Sequence, residues 1–431
     1  MRAMKNSGIE WIGEIPQDWK LRRIKTNFNI VAGATPKSGE SNYWDGDIPW
    51  ITPADYTTED IYVSVGHKSI TPEGLDSCAT TLIPEGSIIF SKRAPVGLVA
   101  ISSNPLCTNQ GCLSCIPKDG VDVKYYYYTM SIYSEQFDLF ASGTTFKEIS
   151  SDAFANFKLP YPDYETQRKI AAYLDIKCAE IDTLIAAKER SNALLKEQEQ
   201  SIIYEAITKG LDPTVPMKDS GIQWIGMIPR GWSTWRMKHL AEEPLQYGAN
   251  ATGVEFDEEL PRYVRITDIS SDRKLNIEGK RSLPESIACA YMLKKGDILF
   301  ARSGATSGKS FYYEEKYGKC CFAGYLIRFR PDIHKANSKF LYYYTLTQAY
   351  EQWTQQIFIQ ATIQNISAEK YNNLVFAIPP SLEEQKKIVS YLDSECEGLD
   401  MIIQDNNMAI QKLKEYRQSL IYEAVTGKIE V

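Results

Sequence analysis

SGATSGKS, Ser303 to Ser310, approaches a known piece of chemistry in its residue types and spacing. It follows a strand-like GDILFAR, where a nucleotide-binding loop would cradle phosphate with backbone N–H groups and a lysine. Two features exclude that reading. The loop needs a glycine where this chain has Ser303, and the following FYYEEKYG reads as strand and turn rather than a phosphate-holding helix N-terminus. Cys112 and Cys115 form a CxxC with no second pair or histidine cluster to complete four zinc ligands, so burial as small apolar thiols is expected. The only histidines, His67, His239 and His334, have no counterparts at matching places in the two halves of the chain, and structural or solvated roles are expected. Pro162-Asp163 and Pro331-Asp332 lack the further acidic and lysine partners of a nuclease metal site and read as turns. An adenine methyltransferase would carry an Asn/Asp-Pro-Pro-aromatic motif, whereas Pro379-Pro380 is preceded by Ile378 and followed by Ser381. The reading is therefore no catalytic residue, no metal site and no cofactor held by this chain.

Polar loops at corresponding places in the two halves remain. Lys92 and Arg93 end one strand-like run, while Arg302, Ser303, Thr306 and Lys309 occupy the same loop in the other half. Arginine and lysine on such turns bind phosphate or pair with guanine edges. Thr144, Thr145 and Lys147 form a second loop, matched by Gln360, Thr362, Gln364 and Asn365, and amide side chains suit adenine edges. These residues are the candidate binding set.

The elements that must position them come from a duplication. SGIEWIGEIPQDWKLRRIK near the start returns about 213 residues later as SGIQWIGMIPRGWSTWRMK, so that Trp11 and Trp19 match Trp224 and Trp232. Each copy opens about 140 residues of short β-branched and aromatic runs broken by turn residues. LIPEGSIIFSKR matches MLKKGDILFARS, with Gly86, Ile88 and Phe90 facing Gly296, Ile298 and Phe300. Cys107 and Gly111 are matched to Cys320 and Gly324, and Tyr126 to Tyr128 are matched to Tyr342 to Tyr344. The repeat of about 215 residues is too long for a solenoid unit of roughly 20 to 50 residues.

Each half closes on a long polar helix pattern. Steps of four and three visit Leu174, Cys178, Ile181, Ile185, Lys188, Asn192, Leu195, Glu199, Ile202 and Ala206 in the first. The second visits Leu392, Cys396, Leu399, Ile403, Asn406, Ile410, Leu413, Arg417, Leu420 and Ala424. Two positions in seven make a narrow seam suited to one partner helix, so each copy is expected to pack antiparallel on the other. The helical stretches would reach roughly 65 Å at about 1.5 Å per residue, less if they break near Asp175 and Asp393. Thr208 to Gly221 reads as a linker, and the C-terminal TGKIEV resembles its start, which suggests a circular arrangement with neighbouring termini. The expected fold is α+β: two mixed, strand-rich domains joined by two long antiparallel helices as a coiled coil, with a pseudo-twofold internal duplication. The expected boundaries are residues 1–160, a helical spacer at 161–210, a second domain at 211–378, and a second spacer at 379–431.

Composition sets outer bounds. At 431 residues with 43% hydrophobic and 24% charged, the chain reads as a multidomain soluble protein. No apolar run approaches the roughly 18 residues of a membrane helix, and the start lacks the apolar core of a signal peptide, so a cytoplasmic location without membrane association is expected. Nine irregularly spaced cysteines then read as reduced thiols. The net charge of -7 argues weakly against a nucleic-acid partner, although acidic helices can offset locally basic surfaces.

Taken together, the SGIEWIGEIP and SGIQWIGMIP openings, the helices with KIAAYLD and KIVSYLD, and the endings SIIYEAITKG and SLIYEAVTGK resemble the specificity subunits of type I restriction-modification systems over nearly the whole chain. The resemblance implies two target-recognition domains, each reading one half of a split, asymmetric site in double-stranded DNA. It also implies a non-catalytic subunit that recruits two modification subunits, which methylate adenine from S-adenosylmethionine, and restriction subunits that use ATP; these cofactors and magnesium would belong to the partners. A different class would be a coiled-coil adaptor whose end domains bind protein or carbohydrate, for which the acidic net charge is the best support and which would show no salt-sensitive DNA affinity.

If the helix pair is a ruler, adding one heptad after about Lys188 and another after about Asn406 keeps both seams in phase and lengthens the pair by about 10 Å. Methylated sites should then show the same two half-sites separated by about three more base pairs. A folded, active complex that kept the parental spacing would contradict the ruler.

Overall fold

The computed structural model describes residues 2–143, 147–270, 272–304, 306–359 and 365–431. The chain forms two compact units, unit 1 from Met1–Glu189 with Asn407–Val431 and unit 2 from Arg190–Asn406. Four helices position the loops and cores: α1 (Val123–Ser131), α2 (Tyr164–Lys209), α3 (Ser338–Tyr344) and α4 (Leu382–Val425). Both α2 and α4 run unbroken through Asp175 and Asp393, where the sequence had left room for a break. Each unit contains part of both.

The repeated opening motif folds as a hairpin, Met4–Asn6 against Glu14–Pro16 in unit 1 and Met217–Asp219 against Met227–Pro229 in unit 2. Its residues explain the turn. The hydroxyls of Ser7 and Ser220 accept the amides of Ile9 and Ile222. Gly13 and Gly226 return to the same isoleucines' carbonyls at 3.0 and 2.9 Å, with φ of 68° and 69° that a β-carbon would resist. Ile12, Ile15 and Trp19, like Ile225, Ile228 and Trp232, are buried beneath it.

A long helix ends on each of these seats. In unit 1, Leu420, Ile421, Ala424 and Val425 of α4 share one core with Ile12, Ile15 and Trp19, and the Tyr422 hydroxyl donates to the Ile12 carbonyl at 3.0 Å. In unit 2, Ile203, Ala206 and Ile207 of α2 share a core with Ile225, Ile228 and Trp232. The first and last segments of the chain therefore meet within unit 1.

Unit 1 carries a five-stranded sheet in the order Phe28–Ala32, Cys112–Pro117, Ile88–Ser91, Val99–Ser102, Tyr62–Val63. Unit 2 carries four strands in the order Gln246–Tyr247, Leu326–Phe329, Ile298–Ala301, Ser310–Tyr312. The matched central strands are buried on both faces, which accounts for their continuous apolar runs. Ile88 and Phe90 enter one core and Ile89 another, and Ile298 and Phe300 are likewise separated from Leu299. The same alternation sends Cys112 and Cys115 into different cores, and burial pushes the Cys112 thiol up to about 12. They cannot converge on one metal.

Hydrogen-bonded pairing shifts three of the residue matches by one place. The capped turns Thr52–Asp55 and Arg265–Asp268 align Ile51 with Val264, whose parallel partners are Thr108 and Phe322. Cys107 consequently matches Cys321, not Cys320. Gly111, whose carbonyl accepts the Lys92 amide, matches Tyr325, whose carbonyl accepts the Arg302 amide, and not Gly324. Tyr128 and Tyr343 both donate to an aspartate of a long helix, Asp175 at 2.9 Å and Asp393 at 2.6 Å. Tyr126 to Tyr128 therefore match Leu341 to Tyr343 rather than Tyr342 to Tyr344. Runs of identical residues slide by one place without losing identity, whereas hydrogen-bonded partners do not.

A buried glutamine ties each long helix to its unit. Gln167 accepts the amide of Asp122, the N-cap of α1, at 2.9 Å and donates to the Pro162 carbonyl at 3.0 Å. Gln385 accepts the amide of Asn337, the N-cap of α3, at 2.7 Å and donates to Pro379 at 3.1 Å. One primary amide supplies both the donor and the acceptor.

Within unit 1, Ile170 and Leu174 of α2 share a core with Leu420 and Val425 of α4, and further along Asp182 pairs with Arg417 at 3.0 Å. Within unit 2, Ala206 of α2 meets Ile388 and Leu392, while Asn192 accepts from Asn406 at 2.9 Å. The segments run antiparallel in each unit. Leu174, Cys178, Ile181 and Ile185 are buried, as are Leu392, Leu399 and Leu420, while Leu195, Ile202, Cys396, Ile403, Ile410 and Leu413 are half-buried. Leu184, Leu194, Met401 and Ile402, off that line, are exposed. Among the described residues no helix is long and apolar enough to cross a membrane.

Gln385→Ala should leave the half-buried Asn337 amide without its acceptor and cost about 1–3 kcal/mol, read as a lower urea midpoint at unchanged slope. A change smaller than about 0.5 kcal/mol would contradict the latch.

Candidate functional site

The two candidate loops of each half, distant in sequence, are neighbours in the structure. In unit 1 the Lys92 carbonyl accepts the Ile149 amide at 3.0 Å, and in unit 2 the Arg302 carbonyl accepts the Ile366 amide at 2.8 Å. Arg93 pairs with Glu148, and Ser303 pairs with Asn365, as isolated antiparallel bridges at the same place. Thr144, Thr145, Gln360, Thr362 and Gln364 lie outside the described residues.

In unit 1 the cations are matched by acids. Glu148 lies 2.8 Å from the Lys92 ammonium and 3.6 Å from Arg93, and Lys147 pairs with Asp138. The Lys92 hydrogen bond leads the causes that hold the Glu148 carboxyl below its ordinary range. This pairing is therefore present above the unfolded carboxyl's pKa and is lost as pH falls through the lower folded value. Thr35 and Gln110, both exposed, are bonded to each other.

Unit 2 builds the same place differently. Ile298–Ala301 and Ser310–Tyr312 form an antiparallel hairpin across Ser303 and Thr306, so SGATSGKS leads into a strand and not a phosphate-binding helix. Arg302 lies over the Tyr247 ring, 4.8 Å from its centroid. Thr306 is half-buried, and its carbonyl accepts the Lys309 amide at 3.0 Å. The Lys309 ammonium donates to the Ser270 carbonyl at 2.7 Å; burial and then the nearby Arg273 pull its pKa down. Lys309 thus ties the hairpin to its neighbouring loop, whereas Arg302 has no acidic partner among the described residues.

Sequence reasoning missed several residues that shape these places. Gly33 and Gly248 pass so close to a neighbouring strand that a β-carbon would come within 2.1 Å of the Asn109 carbonyl oxygen or 2.3 Å of that of Ala323. The Gly-Ala pair repeated at Gly33-Ala34 and Gly248-Ala249 was the available signal. Tyr247 and Tyr325 beside Arg302 left none, because unit 1 has Ala32 and Gly111 at the matching places.

The family model for the type I restriction modification DNA specificity domain matches residues 16–193 and 261–410. The MjaIX type I restriction enzyme specificity subunit of Methanocaldococcus jannaschii is 30% identical over 97% of this chain and 95% of its own length. The EcoBI specificity subunit of Escherichia coli is 23% identical over 99% and 90%. Among solved structures, a chain from a type I R-M system superposes with a TM-score of 0.72 at 17% identity, covering 96% of this chain and 99% of that one. The HsdS subunit from Thermoanaerobacter tengcongensis gives 0.50 at 17% identity, covering 96% and 98%. A family match over most of the chain, together with a relative of this identity along its length, places the protein among the DNA specificity subunits of type I restriction-modification systems.

Proposed function

We propose that this chain supplies the DNA sequence specificity of a type I restriction-modification complex, with each unit reading one part of a split, asymmetric site in double-stranded DNA. The observation that carries this reading is the loop pair. Both units assemble it on the same strand and the same backbone bond, Ile149 to Lys92 and Ile366 to Arg302, yet furnish it with different side chains. One scaffold used twice with different chemistry is what two different half-sites require. Phosphate contacts from either unit would set register, and base-edge contacts would set sequence.

Catalysis in this reading belongs to partners. Two modification subunits would bring S-adenosylmethionine, and restriction subunits would bring ATP and magnesium. Exposed apolar side chains off the helical seam, Ile176, Leu184 and Leu194 on α2 and Met401, Met408 and Tyr416 on α4, offer surface for such docking.

Methylome sequencing of cells expressing this chain with its modification partner should show adenine methylation in a motif of two specified parts and an unspecified spacer. A continuous motif, or methylation unchanged by removing this chain, would overturn the reading. A second expectation concerns Glu148→Gln, which releases Lys92 and Arg93. The slope of log K against log salt for DNA binding should steepen by about one to two, since up to two more cations are available to displace counterions. An unchanged slope would mean that these cations do not face phosphate.

A further inference from the structure

The two units differ in chemistry at one corresponding place. Unit 1 holds Lys92 against Glu148; in unit 2 the residue at the place of Glu148 is Asn365, and that at the place of Lys92 is Arg302. Without a carboxylate, Arg302 is held by other means. Its amide donates to the Tyr325 carbonyl at 3.0 Å, and its own carbonyl accepts the Ile366 amide at 2.8 Å and the Ser307 hydroxyl at 3.0 Å. Its guanidinium lies over Tyr247, and that ring is itself fixed. The Tyr247 backbone lies in the sheet opposite Ile327, and its hydroxyl accepts the Ala368 amide at 3.0 Å.

We propose that Arg302, oriented by Tyr247, is the guanine-reading residue of unit 2, and that Tyr247 is a positioning residue for this contact. The inference deepens the function proposed above and rests on it. A guanidinium stacked on an aromatic face keeps its N–H edge in plane and free of the ring, the geometry a bidentate contact to guanine O6 and N7 needs. A phosphate also accepts an arginine fork, but such a contact carries no base information, so relaxation of one motif position is what separates the two. Two buried polar atoms without hydrogen-bond partners among the described residues, Arg302 Nε and Asn365 Oδ1, sit in these same two loops. Such atoms are costly unless a bound molecule satisfies them. Tyr325, 63% exposed and adjoining Arg302, gives unit 2 a further aromatic surface where unit 1 has Gly111. Arginine on an aromatic support in unit 2 and a lysine–glutamate pair in unit 1 would read different bases from one scaffold.

The test compares methylomes and duplex binding for complexes carrying the parent chain, Arg302→Ala, Arg302→Lys, Tyr247→Leu and Tyr247→Phe. Arg302→Ala should turn one guanine position of one half-site degenerate, with loss of discrimination on the order of ten- to a hundredfold, while the other half-site is unchanged and reports an intact fold. Arg302→Lys should restore that position only in part, because lysine can donate to guanine O6 and N7 but lacks the planar fork. Tyr247→Leu should relax the same position, and Tyr247→Phe, which keeps the ring, should retain it. Uniformly weaker binding with the parental motif would assign Arg302 to phosphate and overturn the inference. So would a motif untouched by Arg302→Ala. A parent complex without a split motif would remove the proposed function and this inference together, whereas a split motif indifferent to Arg302 would remove the inference alone.

Discussion

The docking of a helix end on a proline–tryptophan seat holds each unit closed. In unit 1, α4 stops two residues before Gly427, whose φ of 72° lets the chain turn away while the Lys428 amide reaches back to the Glu423 carbonyl at 2.8 Å. A β-carbon at Gly427 would come within 2.4 Å of Pro16 and 3.0 Å of Trp19. In unit 2, Gly210 at the end of α2 has φ of 76°, and a β-carbon there would stand 3.4 Å from Trp232. Burying each tryptophan contributes about 2–3 kcal/mol, and the helix end supplies part of its cover. The motifs that recur, the hairpin with its Pro and Trp and the helix endings with their Tyr-Glu-Ala, are therefore two sides of one contact. Neither would explain its own residues without the other.

Much of this was legible in the sequence, for a physical reason. Duplication turns each feature into a repeated measurement, and the narrow heptad seam marks its buried positions in both copies. The buried Gln167 and Gln385 follow the same logic, since a helix opening that must satisfy both a capped amide and a proline carbonyl has few side chains to choose from. What misled was residue identity without pairing. Cys320-Cys321 and the tyrosines at 342–344 offer equally good matches in adjacent registers, and only hydrogen bonds decide between them.

The recognition loops were legible as places but not as chemistry. Arg302 and Lys309 look alike in sequence, yet one lies over an aromatic ring and the other is bonded to a carbonyl. Lys92 and Arg93 look free but share a glutamate. Partner choice in such loops depends on residues distant in the chain, Tyr247 for Arg302 and Ser270 for Lys309, and no local pattern encodes it. The same independence lets one scaffold carry two specificities, because loop side chains vary without disturbing the strand, the glutamine latch or the helix seat.

The central structural claim is that each unit is closed by its own helix end. Hydrogen exchange resolved along the chain, on the Gly427→Val variant, tests it most directly. The account predicts lost protection in the opening hairpin and α1 of unit 1, with the Ile222–Leu240 segment and α3 of unit 2 as slow as in the parent. Parental protection throughout unit 1, or equal loss in both units, would contradict it.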